Sequence, residues 1–444
     1  MRMLIKGGRV IDPGNLDQVC DIFINDGIIA GIIEHDSQPI PFDQTTEQFL
    51  IEGEAVAIDT VIDAAGKIIT PGLVDMHVHF REPGFEYKET IETGCRAAAA
   101  GGFCAVCTMP NTRPVTDCPE VIHNILQKAG HSCGVRVYPV AAISLGLKGE
   151  TLCDFEALKQ AGAVAVSDDG NPVRNSRLMR EALEQARKCG LAVISHSEDM
   201  DLAAGGVMNE GETAARLGLP GISNAAESIM ILREIALSEL TGAPVHIAHV
   251  STRESVRAIR DAKRQGIPVT AETAPHYFTL TDAAVETCGS HAKMNPPLRT
   301  EADRQAILEG LADGTIDVIA TDHAPHSVSE KSTDMMSAAN GIIGLETSLS
   351  LGLKLVSTGV LTLSGLVEKM SKNPAIILGL ENGIFTDALA NLTLIDPDMS
   401  YTVDASQFQS KSRNTPFDGW ELKGKAVMTI VGGKIVFRDR HFMS

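Results

Sequence analysis

Eight short runs of apolar residues, rich in β-branched side chains, recur through the middle of this chain, and segments of helical period lie between most of them. The runs are LVDMHVHF (73–80), FCAVCTM (103–109), VRVYPVAA (135–142), AVAVSD (163–168), LAVISH (191–196), VHIAHV (245–250), IPVTAE (267–272) and IDVIAT (316–321). Helical candidates fall at 88–100, 154–162, 177–189, 226–241, 253–265 and 301–313. Strands covered on both faces read as continuous apolar runs, so eight successive β/α units predict a parallel (β/α)8 TIM-like barrel. The competing doubly wound sheet would carry a Gly-rich phosphate turn after its first strand, and neither GxGxxG nor GxxxxGK[ST] occurs there.

The two ends have another texture, with short β runs separated by turn signals: MLIKGGRVI, DIFINDG and VIDAAGKIIT at the start, NLTLIDPD, WELKGKAVMTIV and KIVFR at the finish. They predict one small composite β domain from 1–70 and 386–444 beside a barrel at 71–385. The polar stretch 36–54 reads as a solvated loop insertion. With 38 Lys and Arg against 57 Asp and Glu, the formal charge of −19 argues against nucleic acid or an anionic membrane surface as partner. No run approaches the roughly 18 apolar residues of a membrane span, and MRMLIKGGRVIDPG meets Gly-Gly and Asp-Pro too early for a secretory signal, so the expected location is cytoplasmic. Nine scattered cysteines without framework spacing predict no disulfides, and Cys104-Ala-Val-Cys107 reads as core strand rather than a thiolate site.

His77 and His79 stand two apart, which puts both imidazoles on one face near the C-terminal end of the first run. In such a barrel those ends open onto the active-site mouth. Asp169, His196, His249 and Asp322 occupy the corresponding height in other runs. Singly, a strand-end Asp is more often a cap or turn former, and a buried His a satisfied core residue. Jointly, four His and two Asp from five runs can converge on one small volume. Imidazole and carboxylate without thiolate suit Zn²⁺ or a similar divalent ion, and six ligands exceed what one tetrahedral ion needs, so a binuclear centre is expected. Two cations there require a bridging anion; the fourth run has no lysine but carries Asp168 and Asp169. By alternation His246 faces away from His249. His276 is within reach of the mouth without a paired partner, and His323 points away if Asp322 points in.

The segments PGLVDMHVHFREPG (71–84), GGFCAVCTMPNTRPV (101–115), SDDGNPV (167–173), SHSED (195–199), HVST (249–252), KMNPPLR (293–299), ATDHAPH (320–326), GIIGLE (341–346) and KSRNTPF (411–417) resemble the amidohydrolase superfamily, and within it the class I dihydroorotases. HxH alone is superfamily-level; HVHFREPG with MPNTRP, MNPPLR and ATDHAPH is specific. The resemblance covers nearly the whole chain and implies a composite β domain beside a distorted barrel. It implies that His77 and His79 bind a first zinc, His196 and His249 a second, and that Asp169 bridges them. Asp322 would complete the first site and carry the proton. The implied reaction is the reversible interconversion of L-dihydroorotate plus water and N-carbamoyl-L-aspartate, a step of pyrimidine biosynthesis. Divalent ions would activate water for attack on the ring amide, and Asp322 would pass its proton to the departing nitrogen.

The carboxylate of such a substrate calls for a guanidinium, which reads it bidentately. Arg81, two residues past His79 and on the same side if the strand continues, fits that need, with Asn111 and His326 as further donors. The resemblance agrees on these three, adds Asn295, sets His79 against the substrate as well, and extends to the backbone at Asn340 and Gly341. A salt bridge to Glu82 or Glu86 is the plainer reading of Arg81. An acidic substrate also requires a locally positive mouth. Family members carry Pro, a bulky residue and Gly before the GIIGLE-like segment; here Ala339-Asn340-Gly341 stands there, and loss of Pro is expected to loosen the loop. The polar stretch 327–340 reads either as a mobile lid or as an ordinary surface loop. Allantoinase-like or hydantoinase-like activity is disfavoured by Arg81 and by the absence of a strand-four lysine. A non-catalytic scaffold for aspartate transcarbamoylase would have lost metal-binding histidines, which this chain keeps. A homodimer and association with that transferase stay open.

Overall fold

The computed structural model describes residues 1–34, 42–43, 48–51, 54–131 and 134–442. Eight strands, Leu73–Val78, Phe103–Thr108, Arg136–Ala141, Ala165–Val166, Ala192–Ser195, Val245–Ile247, Val269–Thr273 and Val318–Ile319, pair in parallel in chain order. A parallel bridge between Val78 and His323 joins the first strand to the chain just beyond the last, with the His79 N–H donating to the His323 carbonyl at 2.8 Å. The result is a nearly closed (β/α)8 barrel, and every predicted run supplies one strand. Runs 163–168 and 316–321 retain only two strand residues each, flanked on both sides by residues such as Val164, Ser167, Asp317 and Ala320 whose N–H groups still donate to the neighbouring strand.

The six predicted helices form as Ile91–Ala100, Phe155–Ala161, Ser176–Cys189, Ala225–Thr241, Arg253–Arg264 and Glu301–Ala312, and Pro119–Gly130 adds another between the second and third strands. Their starts follow local chemistry. Thr90 and Thr300 make capping boxes, while Asp154, Asn175 and Thr252 accept from first-turn N–H groups. Strand side chains divide between two cores. Val74, Met76, Ala105, Cys107, Val140, Ala165, Ile194 and Val318 pack together with Ala375 and Leu378, whereas Phe103, Val137, Val166, Val193, Val245, Val269 and Ile319 pack in the larger cluster with the helices.

The chain ends meet in a second sheet. Ile68–Pro71 runs antiparallel to Leu392–Thr402 and parallel to Arg2–Asp12, so N- and C-terminal strands share one ladder with its own buried cluster. The reading of 36–54 as a loop needs correction: Phe42–Asp43, Gln48–Ile51 and Glu54–Ala57 form a short antiparallel sheet, and the remainder of that stretch lies outside the described residues. QFLI and EAVA are short runs of strand-compatible composition that the surrounding polar residues obscure. None of the eight described cysteines is in a disulfide, and Cys104 and Cys107 are buried in the second strand; Cys133 lies outside the described residues. No helix among the described residues is long and apolar enough to cross a membrane.

Candidate metal centre and adjoining cavity

Four imidazoles and two carboxylates converge where the barrel strands end. His77 Nε2 lies 3.4 Å from Asp169 Oδ1 and 3.5 Å from Asp322 Oδ1. His79 Nε2 lies 3.1 Å from Asp322 Oδ1 and 3.5 Å from Asp169 Oδ2. From the opposite side, His196 Nδ1 and His249 Nε2 approach Asp169 Oδ1 at 3.4 and 3.6 Å and stand 2.8 Å from each other. Two groups of ligand atoms result, His77 with His79 and Asp169, and Asp169 with His196 and His249, each within 4.8 Å, and Asp169 belongs to both. His77 Nε2 and Asp169 Oδ1 are buried without any hydrogen-bond partner. Buried polar atoms are ordinarily paired, and orphaned nitrogen and oxygen facing one another fit a cation between them.

The outward nitrogens of His77, His79 and His196 are held by other residues, which turns their inward nitrogens towards the place a cation would occupy. His77 Nδ1 donates to Glu272 at 2.6 Å, and the other Glu272 oxygen takes His246 Nε2 at 3.2 Å. His246 is thus no ligand, as alternation indicates, but stands behind one. Glu272 went unrecognised from sequence because strand seven carries no second ligand to draw attention to it. His79 Nδ1 donates to Asn111 Oδ1 at 2.9 Å, and His196 Nε2 to Glu198 at 3.1 Å, which also accepts from Asn295 at 2.9 Å. The adjacent aspartates of strand four have separate tasks: Asp168 accepts the N–H groups of Ile143 and Ser144, leaving Asp169 to the histidines. His323 points away, towards Glu89 and the Gly344 N–H. His276 does not line the cavity; its ring packs on Tyr277, and burial pushes it down to about 4.

Burial alone would make these imidazoles poor bases, yet Asp169 and Glu272 hold His77 well above the ordinary value, and Asp169 with Glu198 raises His196 to about 10. Burial would likewise raise Asp169 and Asp322, but the surrounding histidines keep both well below the usual carboxylate range. Carboxylates held ionised at Asp169 and Asp322 beside His77 and His196 suit a cation, and a divalent ion binding there would displace protons from those two imidazoles.

Beside the cluster lies a cavity of about 190 Å³ bounded by His79, Arg81, Asn111, Asn295, His326, Asn340 and Gly341 together with Asp169, His196, His249 and Asp322. His77 lies beneath, fully buried. Arg81 reaches it by a different route from the one predicted. The strand stops at Val78, and Arg81 takes a left-handed φ of 63°, turning its guanidinium to the Pro325 carbonyl at 3.1 Å and to within 3.3 Å of His326 Nε2. Glu82 is paired instead with Lys128, and Glu86 accepts from the Gly84 N–H. Burial pushes Arg81 down to about 10, still cationic at neutral pH, so this wall of the mouth is positive. The 327–340 stretch contains the short helix Val328–Lys331, and the fully buried Lys331 ties it down. Lys331 donates to the Ala339 and Gly341 carbonyls where the expected proline is missing, a lysine that sequence inspection passed over as polar loop.

Residues 66–255 match the family model described as dihydro-orotase-like. A curated dihydroorotase from Desulforapulum autotrophicum is 55% identical over 439 residues, covering 99% of each chain. Another from Geobacter metallireducens is 53% identical over 440 residues, covering 99% of this chain and 100% of that one. Among solved structures, L-hydantoinase (dihydropyrimidinase) from Arthrobacter aurescens superposes with a TM-score of 0.85 at 28% identity, covering 100% of this chain and 97% of its own. Dihydropyrimidinase from Brevibacillus agri, at 21% identity and a TM-score of 0.81, shares the fold.

Proposed function

This chain belongs to the dihydroorotase family of the amidohydrolase superfamily, and from that membership and the geometry above we propose how its residues divide the work. The reaction interconverts L-dihydroorotate plus water and N-carbamoyl-L-aspartate. In the hydrolytic direction a water oxygen bonds to the ring amide carbon, the ring C–N bond breaks, and the water proton ends on the leaving nitrogen. Divalent ions, when bound, polarise the amide carbonyl and make water acidic enough to lose a proton near neutral pH.

In this reading His77, His79 and Asp322 hold one ion, His196 and His249 a second, and Asp169 serves both. Zinc, at two ions per chain, suits that all-nitrogen-and-oxygen donor set. A carboxylate oxygen of Asp322 takes the water proton and delivers it to the departing nitrogen, a role suited to a group that borders both the ligand cluster and the cavity. Arg81 and His326 bind the substrate carboxylate, and His79, Asn111, Asn295 and the backbone at Asn340 and Gly341 orient the ring. The division into 1–70 with 386–444 and 71–385 belongs to the same proposal, supported by the pairing of Ile68–Pro71 with Leu392–Thr402.

The observation that carries this reading is Asp169 shared between two ligand groups at the floor of a cavity whose wall holds Arg81. The test is an assay of purified protein together with metal analysis. Turnover of dihydroorotate with close to two zinc ions per chain is expected. Turnover of hydantoin or allantoin with none of dihydroorotate would reject the reaction, and full activity with one ion would reject the binuclear arrangement.

A further inference from the structure

Lys331 is a buried lysine behind the wall of the cavity, and the reaction described above gives it no task. Its side chain is 1% exposed. Its Nζ donates to three carbonyls, those of Lys293 at 3.1 Å, Ala339 at 2.9 Å and Gly341 at 3.0 Å. In its protonated form the ammonium has three donors, and these three carbonyls use all of them. Burial, and secondarily the Lys293 charge, pushes it down to about 7.

The three carbonyls belong to the two chain segments that form one side of the cavity. Lys293 lies two residues before Asn295, and Ala339 and Gly341 bracket Asn340. The Gly341 N–H also donates to the Lys293 carbonyl at 3.0 Å, and Asn414 adds a donor to the Gly341 carbonyl at 3.1 Å. Between the clamped peptides, the Asn340 carbonyl accepts from His326 Nε2 at 2.7 Å, and that nitrogen stands 3.3 Å from the Arg81 guanidinium. Holding both peptide planes around residue 340 therefore holds the carbonyl that sets the His326 ring beside Arg81.

We propose that Lys331 is a positioning residue for substrate recognition, clamping the carbonyls of 293, 339 and 341 so that Asn340 and His326 stay in register with Arg81. This rests on the carboxylate-binding role assigned above to Arg81 and His326.

The test is steady-state kinetics on the metal-loaded variant Lys331→Met, which keeps the stem and removes the donors. KM for dihydroorotate is expected to rise about tenfold or more, with kcat within about threefold of wild type, because the ligand cluster is untouched. Lys331→Arg, which retains charge and donors, is expected to recover part of the affinity. A KM within about twofold of wild type, whatever the melting temperature, overturns the proposal, as does a fall in kcat at unchanged KM. If Lys331→Met does not fold, Lys331→Gln is judged by the same criteria. Arg81→Ala serves as the control: raised KM there with unchanged KM at Lys331 removes only the clamp, whereas unchanged KM in both removes the carboxylate site itself.

Discussion

Arg81, His249 and Asp322 adopt positive φ values of 63°, 33° and 48°, three of the six non-glycine residues in that region among those described. Such conformations cost of order 1–3 kcal/mol each and persist where surrounding contacts over-determine them. All three lie just past a barrel strand, where the chain must bend sharply to aim a side chain into the mouth. Asp322 is the one among them to which the proposed reaction assigns a proton to move. Asp322→Ala is expected to lower kcat by at least about 10²–10⁴-fold. Metal analysis of the dialysed variant should still find ion, since His77, His79, Asp169, His196 and His249 remain; substantial residual turnover would remove Asp322 from the proton path. The residues so placed were legible as types and positions, because HxH spacing and strand-end aspartates mark themselves. The route of Arg81 was not, since a left-handed turn at an arginine has no sequence signature.

The helix Ile91–Ala100 shows how an element positions the site from outside. Gly94 faces the strand end, and a Cβ there would meet the Phe80 ring at 2.5 Å, next to His79. An interior helical Gly→Ala change would ordinarily stabilise by about 1 kcal/mol. Here overpacking of about 1–3 kcal/mol opposes it and should win, because the ring lies in a packed core with little room to yield. Gly94→Ala is expected to lower the melting temperature in a thermal melt; a rise would show that Phe80 moves aside freely. Strands and helices themselves were legible, since apolar runs and capping residues are local signals. Contacts such as Gly94 on Phe80, Glu272 behind His77 and Lys331 under residues 339–341 were not, because each joins elements distant in sequence and depends on their mutual orientation.

Across the whole molecule, the C-terminal segment closes back onto the barrel through Glu346, which accepts the N–H groups of Gln409 and Ser410. Burial raises this carboxyl to about 7, and the nearby Glu89 adds to the effect. A folded-state value above the unfolded one means the folded form holds the proton more tightly. The associated stability is present below the ordinary glutamate range and is lost as pH rises through about 7. Glu346→Gln, permanently neutral with its carbonyl still able to accept, is expected to reduce the fall in melting temperature between pH 5 and pH 8. An unchanged pH profile would show that Glu346 ionises as freely in the fold as outside it. The amino-acid sequence alone determined the alternation that builds the barrel, the pairing of the two β-rich ends and the six side chains that gather at the strand ends, because these follow from period, turn chemistry and residue type along short stretches. The tertiary structure alone decided that Glu272 stands behind His77, that Arg81 enters by a turn, and that a buried lysine braces the cavity wall. Those outcomes depend on which groups from distant segments compete for the same few ångströms of low-dielectric space, and that competition is settled only when the chain has closed.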